Sequence, residues 1–282
     1  MSDSHDAYRP VPVSDLSHLH VETRGSGPLL VFTHGGGDDA STWEGQAGHF
    51  AERGWSTVTW DLRGHGRSAA PALEGYYSRE TSLADLESLT AGEPAVLVGH
   101  SLGGYLSMAY ALRHPGLVRA LVLVATGPGF RDPEGRARWN RNVEAAIARF
   151  GMPAEAAGIL AQHDSWVIDN LGSITVPVLQ VAGSRDDRFL PSLDYVAGRL
   201  GGPVRSEVVA DAGHHVHRKA ATAVNAHIEA FLTELAFVRA EIDVTLKQMD
   251  GWIRPERVRI PVKQQPGRAR IHRDPLGVVL II

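Results

Sequence analysis

A serine between two glycines is the part of the sequence that first indicates chemistry. In Gly-His-Ser-Leu-Gly, residues 99–103, Ser101 follows the apolar run 95–98 and precedes a stretch with helical spacing. A serine hydroxyl becomes a useful nucleophile only when a base takes its proton and donors stabilise the oxyanion. A sharp strand–turn–helix bend would present Ser101 to a substrate, and Gly99 and Gly103 keep side chains out of such a bend. A plain strand-to-helix connection is the alternative.

The base that this serine needs is expected among the histidines later in the chain. The sequence has 14 histidines, most of them expected on the surface or in packing contacts. His214 stands out because it lies on a glycine-marked turn after a β-like run. His215 and His217 lie beside it as alternative metal ligands, but no acidic pattern nearby completes a three-ligand site, so we expect no metal. We expect His34 and His100 to hold loops through hydrogen bonds.

An acid that orients the base is expected at the end of a strand between the serine and the histidine. The stretch 177–191 supplies an apolar run, a glycine turn and two neighbouring aspartates, Asp186 and Asp187. Adjacent side chains on an extended loop point in different directions, so only one carboxylate can face the histidine. These residues alone leave the choice open.

The oxyanion needs two backbone N–H donors. Leu102, the residue after the nucleophile, provides one of them. The second is expected from His-Gly-Gly-Gly-Asp-Asp, residues 34–39, where the glycines let the backbone approach a substrate closely. A phosphate cradle is the weaker interpretation of these glycines, because no Gly-Lys-Ser/Thr follows them.

These candidates must be positioned by an alternation of strands and helices. The predicted strands are His20–Thr23, Leu29–Thr33, Ser56–Asp61, Ala95–Val98, Ala120–Ala125, Val178–Ala182 and Ser206–Ala210. Most are continuously apolar, which indicates parallel strands buried on both faces. Helical spacing is found at about 42–53, 81–90, 103–114, 192–200 and 219–235. The pattern predicts an α/β fold with a mostly parallel central sheet flanked by helices.

One interval, residues 126–176, has no convincing strand and is too long for a plain loop. We predict a small helical insertion over the sheet edge, with a second helical stretch at about 154–170. Its aromatic residues Phe130, Trp139 and Trp166, together with Tyr105 near the serine, are candidate substrate-binding residues. Packing within the insertion is an equally good interpretation of each.

The composition limits the classes of function. Net charge is −4, and hydrophobic residues make up 43%, so nothing indicates a nucleic-acid or membrane partner. The absence of cysteine excludes disulfides and thiolate nucleophiles. The N-terminal residues lack the pattern of a secretory signal, and no apolar run is long enough to span a bilayer. We expect a cytoplasmic protein.

The motifs together, in this order, resemble the α/β-hydrolase family. The resemblance covers about residues 18–235 and rests on His-Gly-Gly-Gly, the stretch 61–68, the serine motif, Gly-Ser-Arg-Asp-Asp and Asp-Ala-Gly-His. It implies Ser101 as nucleophile, His214 as base and Asp186 as acid, since Asp186 has the family's usual spacing from the preceding glycine. It further implies Gly36 and Leu102 as the oxyanion donors. A serine at this position argues against the dehalogenase and epoxide hydrolase branches, which have aspartate there.

The resemblance also implies a domain organisation. An N-terminal arm is expected at 1–17, the hydrolase core at 18–125 and 177–235, a helical cap at 126–176 and a C-terminal extension at 236–282. The extension continues beyond the helix that normally ends the family. Its stripe of Leu235, Val238, Ile242, Leu246 and Met249 indicates a helix that packs on the domain or on a second subunit, and hence a homo-oligomer in the second case. After Gly251 we expect an irregular tail.

The function predicted from these residues is a cofactor-independent serine hydrolase. Its substrate would be a small-molecule carboxylic ester or a related acyl compound, cleaved through an acyl-enzyme. Cleavage of C–C bonds or lactones and perhydrolytic chemistry are alternatives, because the same triad serves them all. A ligand-binding protein without catalysis is the alternative outside enzymes.

Overall fold

The fold is seen in a computed structural model that describes residues 18–252, 254, 256–258 and 269–271. The chain divides into two compact units between Ile228 and Glu229. The predicted N-terminal arm, 1–17, lies outside the described residues. The other predicted domain boundaries stay predictions.

A seven-stranded sheet forms the centre of the first unit, in the order β1-β3-β2-β4-β5-β6-β7. The strands are β1 (Val21–Arg24), β2 (Leu29–Thr33), β3 (Ser56–Trp60), β4 (Ala95–His100), β5 (Val118–Val124), β6 (Val178–Gly183) and β7 (Val204–Val209). Strand β1 is antiparallel to β3, and the other neighbours are parallel. Every residue of β4 and β6 is buried, as expected for parallel strands covered on both faces. The predicted fold class is confirmed.

Nine helices accompany the strands in the described residues: α1 (Glu44–Ala51), α2 (Arg79–Thr90), α3 (Leu102–Arg113), α4 (Pro133–Phe150), α5 (Ala157–Leu160), α6 (Trp166–Asp169), α7 (Ser192–Ala197), α8 (Val216–Lys219) and α9 (Ala221–Trp252). Short 3-10 helices lie at Ala40–Trp43, Pro115–Leu117, Ala154–Ala156 and Leu171–Ser173. The parallel strands bring their carboxyl ends to one edge of the sheet. The loops that follow β2, β4, β6 and β7 therefore meet there.

The insertion between β5 and β6 is helical, as predicted, but less regular than predicted. Its first helix, α4, is capped at its N-terminus by Asp132, whose side chain accepts hydrogen bonds from the amides of Glu134 and Gly135. The predicted second stretch at 154–170 is broken into short pieces. Helix α5 ends at Leu160 because Ala161 turns to extended backbone, with φ −69° and ψ 145°. The Asp164 side chain then accepts the amide hydrogen of Trp166, the first residue of α6.

The second unit contains the end of α9 and a pair of short strands. The predicted helix at 219–235 and the helix predicted for the following stripe form one continuous helix, α9. Strands β8 (Glu256–Val258) and β9 (Ala269–Ile271) pair antiparallel, so the expected irregular tail is wrong for these residues. Their pairing could not be predicted from alternation in runs of three residues. No described helix has the length and apolar character needed to cross a membrane.

Candidate active site

The turn that carries Ser101 is a strained bend between β4 and α3. Ser101 has φ 49° and ψ −110°, a conformation that is costly for a residue with a Cβ and that occurs mostly at functional sites. Its amide donates to the Val124 carbonyl at 2.9 Å, and its carbonyl accepts from Thr126 Oγ1 at 2.5 Å. Hydrogen bonds to the end of β5 and the residues after it therefore hold the bend.

The two glycines of the serine motif are required by close backbone approach. A Cβ on Gly99 would overlap the backbone of Gly103, and a Cβ on Gly103 would overlap the Thr33 carbonyl. The start of α3 can therefore lie against both β4 and the end of β2. This contact brings Ser101 next to the glycine loop, as we call residues 34–39.

Asp186 and His214 form a hydrogen-bonded pair at the same edge of the sheet. Asp186 Oδ2 lies 2.8 Å from His214 Nδ1, and the aspartate side chain is only 4% exposed. Because an ionised carboxylate can only accept, Nδ1 carries the proton and Nε2 is the free acceptor of the imidazole. Asp187 is exposed. The structure thus brings one of the two aspartates to the histidine, and it is Asp186.

The imidazole of His214 is held on its faces by aromatic rings. Phe189 stacks on it with ring centroids 5.0 Å apart at 20°, and His100 packs at 4.7 Å. The side chain remains 34% exposed. Among the described residues, the hydrogen bonds join His214 to Asp186 and His100, and none joins its Nε2 to the Ser101 hydroxyl. Phe189 gave no signal in the sequence beyond its position three residues after Asp186.

The glycine loop leaves from β2 and is anchored by its first residue. His34 is fully buried: Nδ1 donates to the Gly35 carbonyl at 2.7 Å, and Nε2 accepts the Leu62 amide at 2.9 Å. His100 likewise donates from Nε2 to the His214 carbonyl at 3.0 Å. The prediction that both histidines hold loops is confirmed. Burial lowers the pKa of His34.

Two backbone amides in the loops at this edge have no acceptor among the described residues. Leu102 is the first residue of α3, so its N–H has no partner within the helix. The Gly36 N–H likewise donates to no described residue. Above Gly36 lies Leu160 of the insertion, whose Cδ2 would be only 2.7 Å from a Cβ at that position. No signal in the sequence pointed to Leu160, because the contact depends on how the insertion folds back.

Histidines and an aspartate cluster behind His214. Asp38 Oδ2 lies 3.3 Å from His215 Nε2 and 3.5 Å from His100 Nδ1. His217 is fully buried, and burial lowers its pKa well below the usual value. In the part of the chain that the structure describes, no group of three or more histidines and acids is arranged to hold a metal ion.

The predicted substrate-binding aromatic residues have packing partners of their own. The Tyr105 hydroxyl accepts a hydrogen bond from Arg79 at 3.3 Å, and Arg79 also lies over the Trp166 ring at 5.1 Å. Trp139 donates from Nε1 to the Leu160 carbonyl at 2.8 Å, and Phe130 packs against Trp139 with centroids 5.8 Å apart. These contacts support the packing interpretation for Trp139 and Trp166. Their role in substrate binding stays a prediction.

Comparisons with known proteins found relatives that match part of this chain. An uncharacterized protein of Mycobacterium tuberculosis is 32% identical over 160 residues, which cover 56% of this chain and 41% of that protein. A pimeloyl-[acyl-carrier protein] methyl ester esterase of Chromobacterium violaceum is 41% identical over 125 residues, covering 43% of this chain and 47% of the esterase. The matched stretches thus span less than half of these relatives' length.

A solved structure extends the likeness beyond the matched sequence. A thermophilic esterase of Thermogutta terrifontis superposes with a TM-score of 0.68 at 22% identity, covering 77% of this chain and 93% of the esterase. At that identity the likeness shows the fold alone. Residues 28–169 match the family model for the alpha/beta hydrolase fold. The chain therefore belongs to the α/β-hydrolase family.

Proposed function

We propose that the protein is a serine hydrolase that cleaves carboxylic esters of small molecules through an acyl-enzyme, without a cofactor. The observation that carries the proposal is the 2.8 Å hydrogen bond from His214 to Asp186, at the sheet edge where Ser101 occupies a strained bend. This pair leaves His214 Nε2 as an acceptor for a serine proton. The same three residue types in these roles recur in hydrolases of unrelated folds.

The first half of the reaction forms the acyl-enzyme. Ser101 Oγ attacks the ester carbonyl carbon while His214 Nε2 takes its proton, and Asp186 stabilises the resulting imidazolium. The amides of Gly36 and Leu102 donate to the oxyanion of the tetrahedral intermediate. When the intermediate collapses, the C–O bond to the alcohol breaks and the alcohol takes the proton from His214.

The second half releases the acid. Water attacks the acyl carbon and gives its proton to His214 Nε2, and the same two amides stabilise the second oxyanion. Collapse of this intermediate breaks the bond to Ser101, which recovers its proton from His214. Each proton taken by the histidine is returned, so the cycle needs no other acid or base.

Two further observations support an acyl substrate. The free amides of Gly36 and Leu102 are the donors that a developing oxyanion needs, and the apolar Leu160 lies beside Gly36. Cleavage of C–C bonds or lactones and perhydrolysis would use the same groups, and the names of two similar proteins, both esterases, favour ester hydrolysis.

The test is active-site labelling with a fluorophosphonate, combined with a panel of esters of increasing acyl chain length. We expect labelling of the intact protein and none in Ser101→Ala, with turnover reduced by about 10³- to 10⁶-fold. Ser107→Ala is the matched control, because Ser107 is a buried serine on the same helix that donates to the Gly103 carbonyl. It should be labelled like the wild type.

Three results would contradict the proposal. Absence of labelling in the wild type would favour a ligand-binding protein. Unchanged turnover in Ser101→Ala would show that Ser101 is not the nucleophile. If the wild type is labelled and turns over lactones or forms peracids, but hydrolyses no ester of the panel, one of these related reactions would replace ester hydrolysis as the proposed function.

A further inference from the structure

We propose that His100 is a positioning residue that holds the imidazole of His214 in place for its work on Ser101. The inference rests on the proposed function for what His214 does. It concerns a side chain that lies next to Ser101 in sequence and takes no part in the reaction described above.

The first support is a hydrogen bond that links two distant parts of the chain. His100 Nε2 donates to the main-chain carbonyl of His214 at 3.0 Å, across 114 residues of sequence. His100 is only 1% exposed, so water does not compete for this bond. The last residue of β4 therefore fixes the backbone from which the His214 side chain extends.

The second support is the packing of the rings. His100 lies 4.7 Å from the His214 ring, and Phe189 stacks on His214 at 5.0 Å. The His100 ring also packs against the rings of His217, at 4.3 Å, and His215, at 5.2 Å. Rotation of the His214 ring would therefore push against side chains that are themselves packed. The 2.8 Å contact to Asp186 fixes the remaining degree of freedom.

The third support is that His100 is wedged against the glycine loop. Its Nδ1 lies 3.5 Å from Asp38 Oδ2, and a Cβ on Gly35 would meet that nitrogen at 2.7 Å. His215 Nε2 lies 3.3 Å from the same carboxylate oxygen. The His100 side chain thus contacts both the glycine loop and the loop that carries His214. In the sequence, His100 directly precedes Ser101.

The protonation state of His100 suits this role. Burial lowers its pKa to about 4, so the ring is neutral near neutral pH. The hydrogen bond to the carbonyl then places the single proton of the neutral imidazole on Nε2. A positive charge at this place would oppose the imidazolium that His214 must form, since like charges disfavour each other.

The experiment compares two substitutions of His100 with a control. His100→Leu removes the donor and fills its place with an apolar side chain. His100→Gln retains an N–H that can reach the His214 carbonyl. Gln180→Leu is the control, because Gln180 is a buried side chain on β6 that donates to the Leu193 carbonyl. Each variant is measured for kcat, KM and the proton resonance of the Nδ1–H···carboxylate bond, assigned by its loss in His214→Gln.

In His100→Leu we expect kcat to fall on the order of 10²-fold, as for a small displacement of a reacting group, with KM changed much less. The downfield resonance of the His214–Asp186 bond should broaden or vanish. His100→Gln should recover most of both properties. Gln180→Leu should lose stability and keep kcat and the resonance.

Unchanged kcat and an unchanged resonance in His100→Leu would overturn the proposal. An equal loss of both in Gln180→Leu would also overturn it, because general destabilisation would then explain the effect. Fluorophosphonate labelling of the wild type separates the two proposals. If Ser101 is not labelled, the proposed function fails, and the resonance still decides whether His100 positions His214.

Discussion

The loops at the sheet edge and the insertion at 126–176 are held in place in different ways. The sheet edge uses strained backbone, glycines in close backbone contact and buried histidines bonded to main-chain carbonyls. The insertion uses the capped helix α4 and rings packed on rings, and its histidine, His163, is exposed. Under the proposed function, the edge would fix the reacting atoms, whereas the insertion would supply a surface that can vary around them.

The largest expected effect concerns the acid at the sheet edge. Asp186→Asn keeps the shape of the side chain but lets its amide favour the wrong tautomer of His214, so turnover should fall up to about 10⁴-fold. Asp187→Asn is the control, since Asp187 is exposed, and it should cost less than about 1 kcal/mol of stability and little turnover. Steady-state kinetics of both variants test this. A collapse in Asp187→Asn instead would assign the acid to the neighbouring residue.

The close backbone contact at the elbow provides the second prediction. Gly103→Ala puts a methyl group into the Thr33 carbonyl, so the start of α3 must shift and turnover should fall on the order of 10²-fold. Gly48→Ala has open space around the new methyl group inside α1 and should stabilise the protein by about 0.5–1 kcal/mol. Turnover and thermal unfolding of the two variants can be compared. Full activity in Gly103→Ala would show that the edge is less rigid than we conclude.

The buried histidines of the edge predict the pH dependence of stability. His65 follows β3 and packs on His34 of the glycine loop, with ring centroids 5.0 Å apart. Burial lowers the pKa of His65 to about 3 and that of His100 to about 4, so below 6.5 the unfolded chain binds protons that the folded chain does not. Stability should therefore fall as pH drops from 6.5 toward those values, by about 2 kcal/mol per buried histidine at pH 5. Urea unfolding at several pH values measures the slope.

Two substitutions refine this measurement. His65→Gln should make the slope of unfolding free energy against pH shallower. His163→Gln should leave it unchanged, because His163 is exposed in the insertion. Equal slopes in all three proteins would contradict the assignment of the acid sensitivity to the sheet edge.

A smaller effect is expected from the insertion, on selectivity. Leu160→Ala removes the side chain above Gly36, so the preferred acyl chain should lengthen, with a change in relative kcat/KM of about tenfold or more. Ile159→Ala is the control, because Ile159 is buried in the same short helix. Its stability should fall while the acyl preference stays. If Leu160→Ala and the wild type prefer the same acyl chain length, Leu160 of the insertion does not contact the acyl chain.

The smallest effect on turnover is expected from the C-terminal extension. Ending the chain after Gly251 removes none of the residues proposed for the site, so turnover should stay within about twofold, less than 0.5 kcal/mol. The exposed apolar side chains of α9 include Phe237, Ile242, Leu246 and Trp252. Self-association through this extension stays a prediction. Light scattering of the full chain and of a chain ending after Leu235 tests it, and equal masses would contradict it.

The sequence was most informative where chemistry and backbone geometry coincide. Leu29–Thr33 was predicted to the residue, and the bend at Ser101 followed from the glycines around it. The residues alone left Asp186 and Asp187 open, because both satisfy the same local pattern, and the family spacing favoured Asp186, which the structure places against His214. Leu160 and Phe189 could not be predicted, since long-range packing brings them to the site. The predicted helix at 154–170 is divided into short helices by local hydrogen bonds, which the spacing of apolar residues does not reveal.

The long-range contacts at the sheet edge have a consequence for the order of events in folding. The hydrogen bond from His100 to His214 closes a loop of 114 residues, and each pair of parallel strands is joined by a crossover of a dozen or more residues. Contacts so distant in sequence form late and slowly, because the entropy of loop closure must be overcome first. On refolding, helical signal should therefore return before the proposed hydrolytic activity, and during unfolding the protein should lose its reactivity toward a fluorophosphonate before it loses its helices.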